Sequence, residues 1–67
     1  MTPLEIREEI LRIAALEEDQ QQEDLFLRFT IEYEHGELAT DDYTNAVKGF
    51  NFTTPELKDL VSKIINS

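Results

Sequence analysis

Apolar residues recur towards both ends of the chain with the period of an amphipathic helix. Towards one end they stand at i, i+3, i+4, i+7 and i+8, at Leu57, Leu60, Val61, Ile64 and Ile65. Towards the other end there are two faces, one formed by Ile6, Ile10, Ile13 and Leu16 and the other by Leu4, Leu11, Ala14 and Ala15. Spacings of three and four residues place side chains on one side of a helix, so both segments are predicted to be helical.

Two Thr-Pro pairs mark predicted helix starts. A threonine hydroxyl can accept a hydrogen bond from a free N–H of the first turn, and a proline at the next position has no N–H to satisfy. Thr2-Pro3 and Thr54-Pro55 both have this form, and Glu5 stands at the capping-box position three residues after Thr2. We therefore expect helices to begin at Pro3 and at Pro55.

Two glycines mark predicted helix ends. Gly36 follows a histidine and Gly49 follows a lysine. A cation in the last turn favours a helix C-terminus, and glycine readily adopts the positive φ that often ends a helix. Between the two glycines we predict a short third helix that is capped by Thr40 or Asp41.

The segment 25–36 can be interpreted as a helix or as a strand. Its apolar side chains alternate with polar ones from Leu27 to Tyr33, which is the period of a strand. A strand needs a partner, and an isolated two-stranded ribbon is only marginally stable. We predict a helix here; the alternative is an α+β fold with a ribbon formed from Leu25 to Tyr33 and from Phe50 to Thr53.

The segment 17–24 contains no apolar residue, so the helical stripe is interrupted there. One helix could still run from Pro3 to His35, in which case a dimer would be needed to cover it. We favour a turn near Glu18–Gln21, with Asp19 and Gln22 as a cap pair for the next helix. The result is an up-and-down arrangement of helices.

The prediction is an all-α fold, a small bundle of three to four short helices in a single domain over residues 1–67. A chain of 67 residues obtains little stability from its own core, so a partner or a homodimer is an alternative source of burial. The longest apolar run has four residues, and the start of the chain lacks the pattern of a signal peptide. We therefore expect a cytoplasmic protein without membrane contact.

The negative charge is concentrated in the middle of the chain. Fifteen acidic residues stand against six basic ones, a net charge of −9, and the segment 17–42 carries the whole excess because Arg28 is its one basic residue. We predict an acidic interaction face that consists of Glu17, Glu18, Asp19, Glu23, Asp24, Glu32, Glu34, Glu37, Asp41 and Asp42. Such a face attracts a partner with a basic surface, although it also serves solubility alone.

Two functions follow from this charge. The first is an accessory or regulatory protein–protein interaction module, and the second is an inhibitor that mimics nucleic acid by using carboxylates in place of phosphates. Direct binding to nucleic acid is not expected, because phosphate contacts need clustered Lys and Arg.

Catalysis and metal binding have weak support. There is no cysteine, and His35 is the one histidine, so we predict neither an enzyme nor a cofactor. Glu32 and His35 stand three residues apart, as in the Glu-x-x-His motif of carboxylate-bridged metal bundles. A dimeric metal-binding bundle is therefore a second alternative, although His35 more simply ends a helix beside Gly36.

Some apolar residues exceed what a small core can bury. Most of the six aromatic side chains are expected in the core, with Phe50 and Phe52 as the best candidates for exposure. Uncovered apolar surface in a small protein indicates contact with a partner or with a second copy. The candidates for an apolar interface are Leu4, Leu11, Leu27, Ile31, Phe50 and Phe52.

Overall fold

The computed structural model of the protein describes residues 1–66. Four helices follow one another: α1 (Pro3–Ile13), α2 (Gln20–Glu34), α3 (Thr40–Lys48) and α4 (Pro55–Ile65), with a 3-10 turn at Ala14–Leu16 after α1. The fold is a compact all-α globule, 28 × 20 × 18 Å, and residues 1–66 contain no strand. The prediction of a helical bundle is confirmed, whereas the two-stranded ribbon and the single helix from residue 3 to residue 35 are wrong.

The start of α1 is the predicted capping box. The N–H of Glu5 donates to the hydroxyl of Thr2 at 3.2 Å, and the N–H of Thr2 donates to the carboxylate of Glu5 at 3.0 Å. Hydrogen bonding of the Glu5 carboxylate to Thr2, first to its backbone N–H and then to its side chain, lowers the pKa of Glu5. Two N–H groups that the helix leaves free are thus satisfied.

The break between α1 and α2 lies at residues 17–19, slightly earlier than predicted. Asp19 caps α2 as expected: its carboxylate accepts the N–H of Gln22 at 3.2 Å and the side-chain amide of the same residue at 2.8 Å. The polar segment therefore ends one helix and starts another.

Three of the predicted helix boundaries form in another way. The residue before α3 is Ala39, which offers no side-chain cap, so neither Thr40 nor Asp41 caps that helix. The hydroxyl of Thr54 makes no hydrogen bond although it is buried at the start of α4. Gly36 has the predicted positive φ of 77°, but Gly49 has φ −79°, which any residue adopts.

The core lies between all four helices, with α1 and α2 as its most extensively packed pair. Its buried apolar residues are Ile6, Ile10, Ile13, Phe26, Tyr43, Val47, Phe52, Leu57, Leu60 and Ile64. Leu16 does not continue the buried stripe of α1 and is 64% exposed, because the chain leaves the α-helical path after Ile13.

The linker between α3 and α4 is part of the core. Phe52 is 3% exposed, and its ring lies 5.5 Å from that of Phe26, measured between centroids. Phe50 is half-buried, 5.4 Å from Phe26 and 5.2 Å from Phe52. The interface prediction is therefore wrong for Phe52, which packs inward, and Phe50 presents only part of its ring.

Candidate functional site

The predicted acidic face is divided by the fold. Glu17 and Glu23 are each only 3% exposed and so cannot belong to a surface for a partner, which corrects the prediction for both. Glu32 and Glu34 are half-buried. The remaining predicted members are exposed: Glu18, Asp19, Asp24, Glu37, Asp41 and Asp42.

Glu17 is buried because its carboxylate holds the linker before α4. It accepts the N–H of Thr53 at 3.0 Å, the N–H of Thr54 at 2.9 Å and the hydroxyl of Thr53 at 3.1 Å. The N–H of Asp19 donates to the same carboxylate at 2.9 Å. Burial alone would raise the pKa of Glu17, but these donors prevail and lower it to about 2. The anion also suits the positive end of α4.

Gln22 binds the same linker at Asn51, two residues before Thr53. Its side-chain carbonyl accepts the N–H of Asn51 at 2.8 Å, and its amide donates to the carbonyl of Asn51 at 3.1 Å. We call Glu17, Gln22 and the linker residues Asn51, Thr53 and Thr54 the linker clamp. The sequence gives no local signal for the clamp, because its members stand 29 to 37 residues apart.

Glu23 has the opposite environment. Burial raises its pKa, and the neighbouring carboxyl of Asp24 raises it further. The folded protein therefore disfavours the ionised form of Glu23, since low polarity and nearby negative charge both oppose ionisation. Glu23 is a polar residue that the fold tolerates at a cost.

A hydroxyl pair joins α2 and α3 inside the core. Thr30 donates its one hydroxyl proton to the carbonyl of Phe26 at 2.7 Å, so the hydroxyl of Tyr43 donates to Thr30 across 2.8 Å. Burial raises the pKa of Tyr43 to about 12. The ring of Tyr43 stacks on Tyr33 with centroids 4.4 Å apart. These contacts position helices and leave no reactive group accessible.

The outer side of the α1–α2 pair retains exposed apolar residues. Leu4 is 46% and Leu11 56% exposed on α1, while Leu27 and Ile31 are half-buried on α2. We call these four residues the apolar strip; all four were predicted interface candidates.

A shallow groove of about 360 Å³ follows the α2 half of the strip. Its lining consists of Asp24, Leu27, Arg28, Ile31 and Glu32. The two carboxylates stand at either end of the apolar floor, since they are eight residues apart on the helix. Arg28 lies between them and forms no ion pair within the described part of the chain.

A second acidic surface lies between α1 and α4, although the residues outside the segment 17–42 carry no net charge in the sequence. A cleft of about 550 Å³ is lined on its acidic sides by Glu5, Glu8, Glu9, Glu56 and Asp59. Arg12 and Lys63 also line the cleft; Arg12 pairs with Glu9 at 2.5 Å, and this hydrogen bond raises the pKa of Arg12. The three- and four-residue spacing of these acids was a readable signal for a shared face.

The structure brings no third ligand to the Glu32–His35 pair within one chain. In residues 1–66 no group of three or more His, Asp or Glu side chains could hold a metal ion. The same part of the chain has no helix long and apolar enough to cross a membrane. Comparison with protein-family models, curated proteins and solved structures finds no match for the chain.

Proposed function

We propose that the protein is a non-catalytic protein–protein interaction module, accessory or regulatory, whose partner has a basic surface. The observation that carries this proposal is the large number of carboxylates left without a cationic neighbour. Two of the fifteen acidic side chains, Glu9 and Glu34, take part in ion pairs in the described structure. Of the others, Glu17 and Glu23 are buried, and Glu5 and Asp19 accept hydrogen bonds at the starts of helices.

Unneutralised surface carboxylates have a cost that a basic partner relieves. Like charges destabilise a compact state by mutual repulsion, and they accelerate association with an oppositely charged surface. Six acids of the middle segment are exposed. They lie in the turn before α2, on α2, in the loop after α2 and at the start of α3. One of them, Asp24, borders the apolar strip, which supplies contact area that charge alone does not.

Nucleic-acid mimicry is the alternative with less support. A mimic needs a row of accessible, unpaired carboxylates. Three members of the predicted row do not qualify, because Glu17 and Glu23 are buried and Glu34 pairs with Arg7 at 2.7 Å.

Affinity capture from the native host at two salt concentrations tests the proposal. The wild-type protein is compared with a variant in which Glu18, Glu37 and Asp42 become amides, and with a control in which Glu9, Glu56 and Asp59 do. Each variant loses three negative charges. We expect the first to lose a basic partner that the control retains; equal retention by both, or a partner without a basic surface, would contradict the proposal.

Salt dependence then separates the two functions. A mimic binds through charge alone, so raising the salt from about 0.05 to 0.5 M shortens the screening length several-fold and should abolish capture. A module with an apolar contact weakens but remains bound, and Leu27→Lys should abolish the residual binding.

A further inference from the structure

We propose that the apolar strip is the docking site for an amphipathic basic helix of a partner protein. This inference rests on the proposed function and adds to it the location of the contact and the form of the partner.

Helix geometry places the α1 half of the strip beside its α2 half. The guanidinium of Arg7 and the carboxylate of Glu34 meet at 2.7 and 3.2 Å, which fixes one flank of α1 against one flank of α2. Leu11 lies one turn after Arg7, and Ile31 lies one turn before Glu34. Because i and i+3 or i+4 share a helical face, both lie beside this ion pair on the same side of the helix pair.

The other exposed leucines do not extend this surface. Leu25 stands nine residues before Glu34, half a turn away from the flank that contacts α1. Leu16 belongs to the 3-10 turn. Isolated exposed leucines are common on soluble proteins, whereas apolar residues that line a shallow groove along a helix, as Leu27 and Ile31 do, offer a surface on which a partner helix can lie.

The charges around the strip select a basic partner. Asp24 and Glu32 stand at the ends of the groove, and Glu8 lies between Leu4 and Leu11 on the outer face of α1. A second copy of a chain with net charge −9 would bring further carboxylates to this margin. A helix with leucines on one face and lysines beside them satisfies both the apolar floor and its acidic ends.

Arg28 places one positive charge among the acids of the α2 groove. It is the one cation on the α2 groove, set between Asp24 and Glu32. A helix that docks with its lysines towards these carboxylates can direct one acceptor, a carboxylate or a terminal carbonyl, towards Arg28. The proposed partner is therefore predominantly basic, with a single acceptor near the middle of its contact.

The test uses a labelled 18-residue peptide of Leu and Lys with leucines at helical spacing, and a scrambled peptide of the same composition. Both have the same charge, so any preference reports the apolar face. We expect the wild-type protein to bind the amphipathic peptide about ten-fold or more tightly than the scrambled one. Equal affinities would overturn the proposal.

Two comparisons, each between two double variants, locate the contact. Leu11→Gln with Ile31→Gln should remove the preference, whereas Leu16→Gln with Leu25→Gln should keep it. Asp24→Asn with Glu32→Gln should weaken binding several-fold more than Glu56→Gln with Asp59→Asn, although both pairs remove two charges. Equal effects within either comparison would overturn the proposal. Circular dichroism verifies that every variant is folded.

Sedimentation of the protein alone shows whether the strip binds a second copy of the chain. A dimer that Leu11→Gln with Ile31→Gln converts to a monomer would show that the strip binds itself, which overturns the proposal. The docking site and the proposed function can fail separately: if strip variants capture basic partners normally while acidic-face variants do not, the docking site is wrong and the function stands.

Discussion

The linker clamp joins the start of α2 and the turn before it to the linker before α4, whereas the apolar strip lies on the outer side of α1 and α2, and the acidic residues of the two regions have opposite surroundings. In the clamp, the carboxylate of Glu17 receives four hydrogen bonds from the backbone and side chains of nearby residues. In the strip, Leu4 and Leu11 remain about half exposed. Of the acids at its margin, Glu34 pairs with Arg7, whereas Asp24 and Glu32 form no ion pair in the described part of the chain.

The difference shows that one run of acidic sequence can perform two tasks. A carboxylate with several N–H donors is stable inside the protein and organises the chain around it. A carboxylate with none remains at the surface and contributes charge instead. Burial and donors, rather than position in the acidic run, decide which acids are available to a partner.

The largest expected effect comes from Glu17→Gln. The amide keeps the size of the side chain but loses the charge that four donors stabilise, so we expect the melting temperature to fall by roughly 10 °C. Glu18→Gln is the matched control on the neighbouring exposed residue and should change it by less than about 3 °C. Thermal unfolding at pH 7 measures both; equal shifts would remove the distinction between clamp and surface.

The same substitution should change the acid limb of the stability curve. The pKa of Glu17 is about 2 in the folded protein against 4.5 ordinarily, so its stabilisation is complete above pH 4.5 and is lost as the pH falls towards 2. The difference in stability between wild type and Glu17→Gln should therefore shrink across that window. Denaturant unfolding at several pH values measures it; a constant difference would contradict the assignment.

Tyr43→Phe should have an intermediate effect. It removes the hydroxyl that donates to Thr30, and we expect a loss of about 1 kcal/mol in the free energy of unfolding. Since the pKa of Tyr43 is raised to about 12, wild-type stability should also decline as the pH rises from 10 towards 12. The variant should lack that decline, and a decline of equal size in both would exclude Tyr43 as its source.

Glu23→Gln should stabilise the protein slightly at pH 7. The raised pKa of Glu23 means that the folded state disfavours its ionised form, which the neutral amide avoids. The gain should disappear well below pH 4.5, where the carboxyl is protonated in both folded and unfolded chains. Thermal unfolding of Glu23→Gln beside Asp24→Asn checks the sign, and a destabilised Glu23→Gln at pH 7 would contradict it.

The smallest effect on stability is expected for Leu11→Gln. The side chain is more than half exposed, so its replacement should change the free energy of unfolding by no more than about 0.5 kcal/mol. Ile10→Gln, one residue earlier and fully buried, should be severely destabilised by comparison. A large loss in Leu11→Gln would mean that the strip is part of the core rather than a surface.

Local signals in the sequence were sufficient for much of the fold. The Thr2–Glu5 capping box, the Asp19 cap and the positive φ of Gly36 each depend on a few neighbouring residues, and all three are present. Helical spacing likewise identified the buried face of α4.

What the sequence could not provide depends on contacts between distant segments. Thr54 looks like a helix cap, but Glu17 accepts its backbone N–H from 37 residues away. The sequence therefore predicts that Glu17 lies at the surface. It likewise predicts exposure for Phe52, because the contact of its ring with Phe26 joins distant segments. The apolar strip could be read from helical spacing alone because each half of it lies within one helix.

The most direct measurement is an NMR titration of the labelled protein with the amphipathic Leu/Lys peptide. The methyl signals of Leu11 and Ile31 should shift and saturate, while the amide signals of Thr53 and Thr54 in the linker clamp should stay in place. Shifts centred on the clamp, or spread evenly over every acidic residue, would contradict the division of the acidic segment into a structural part and a binding part.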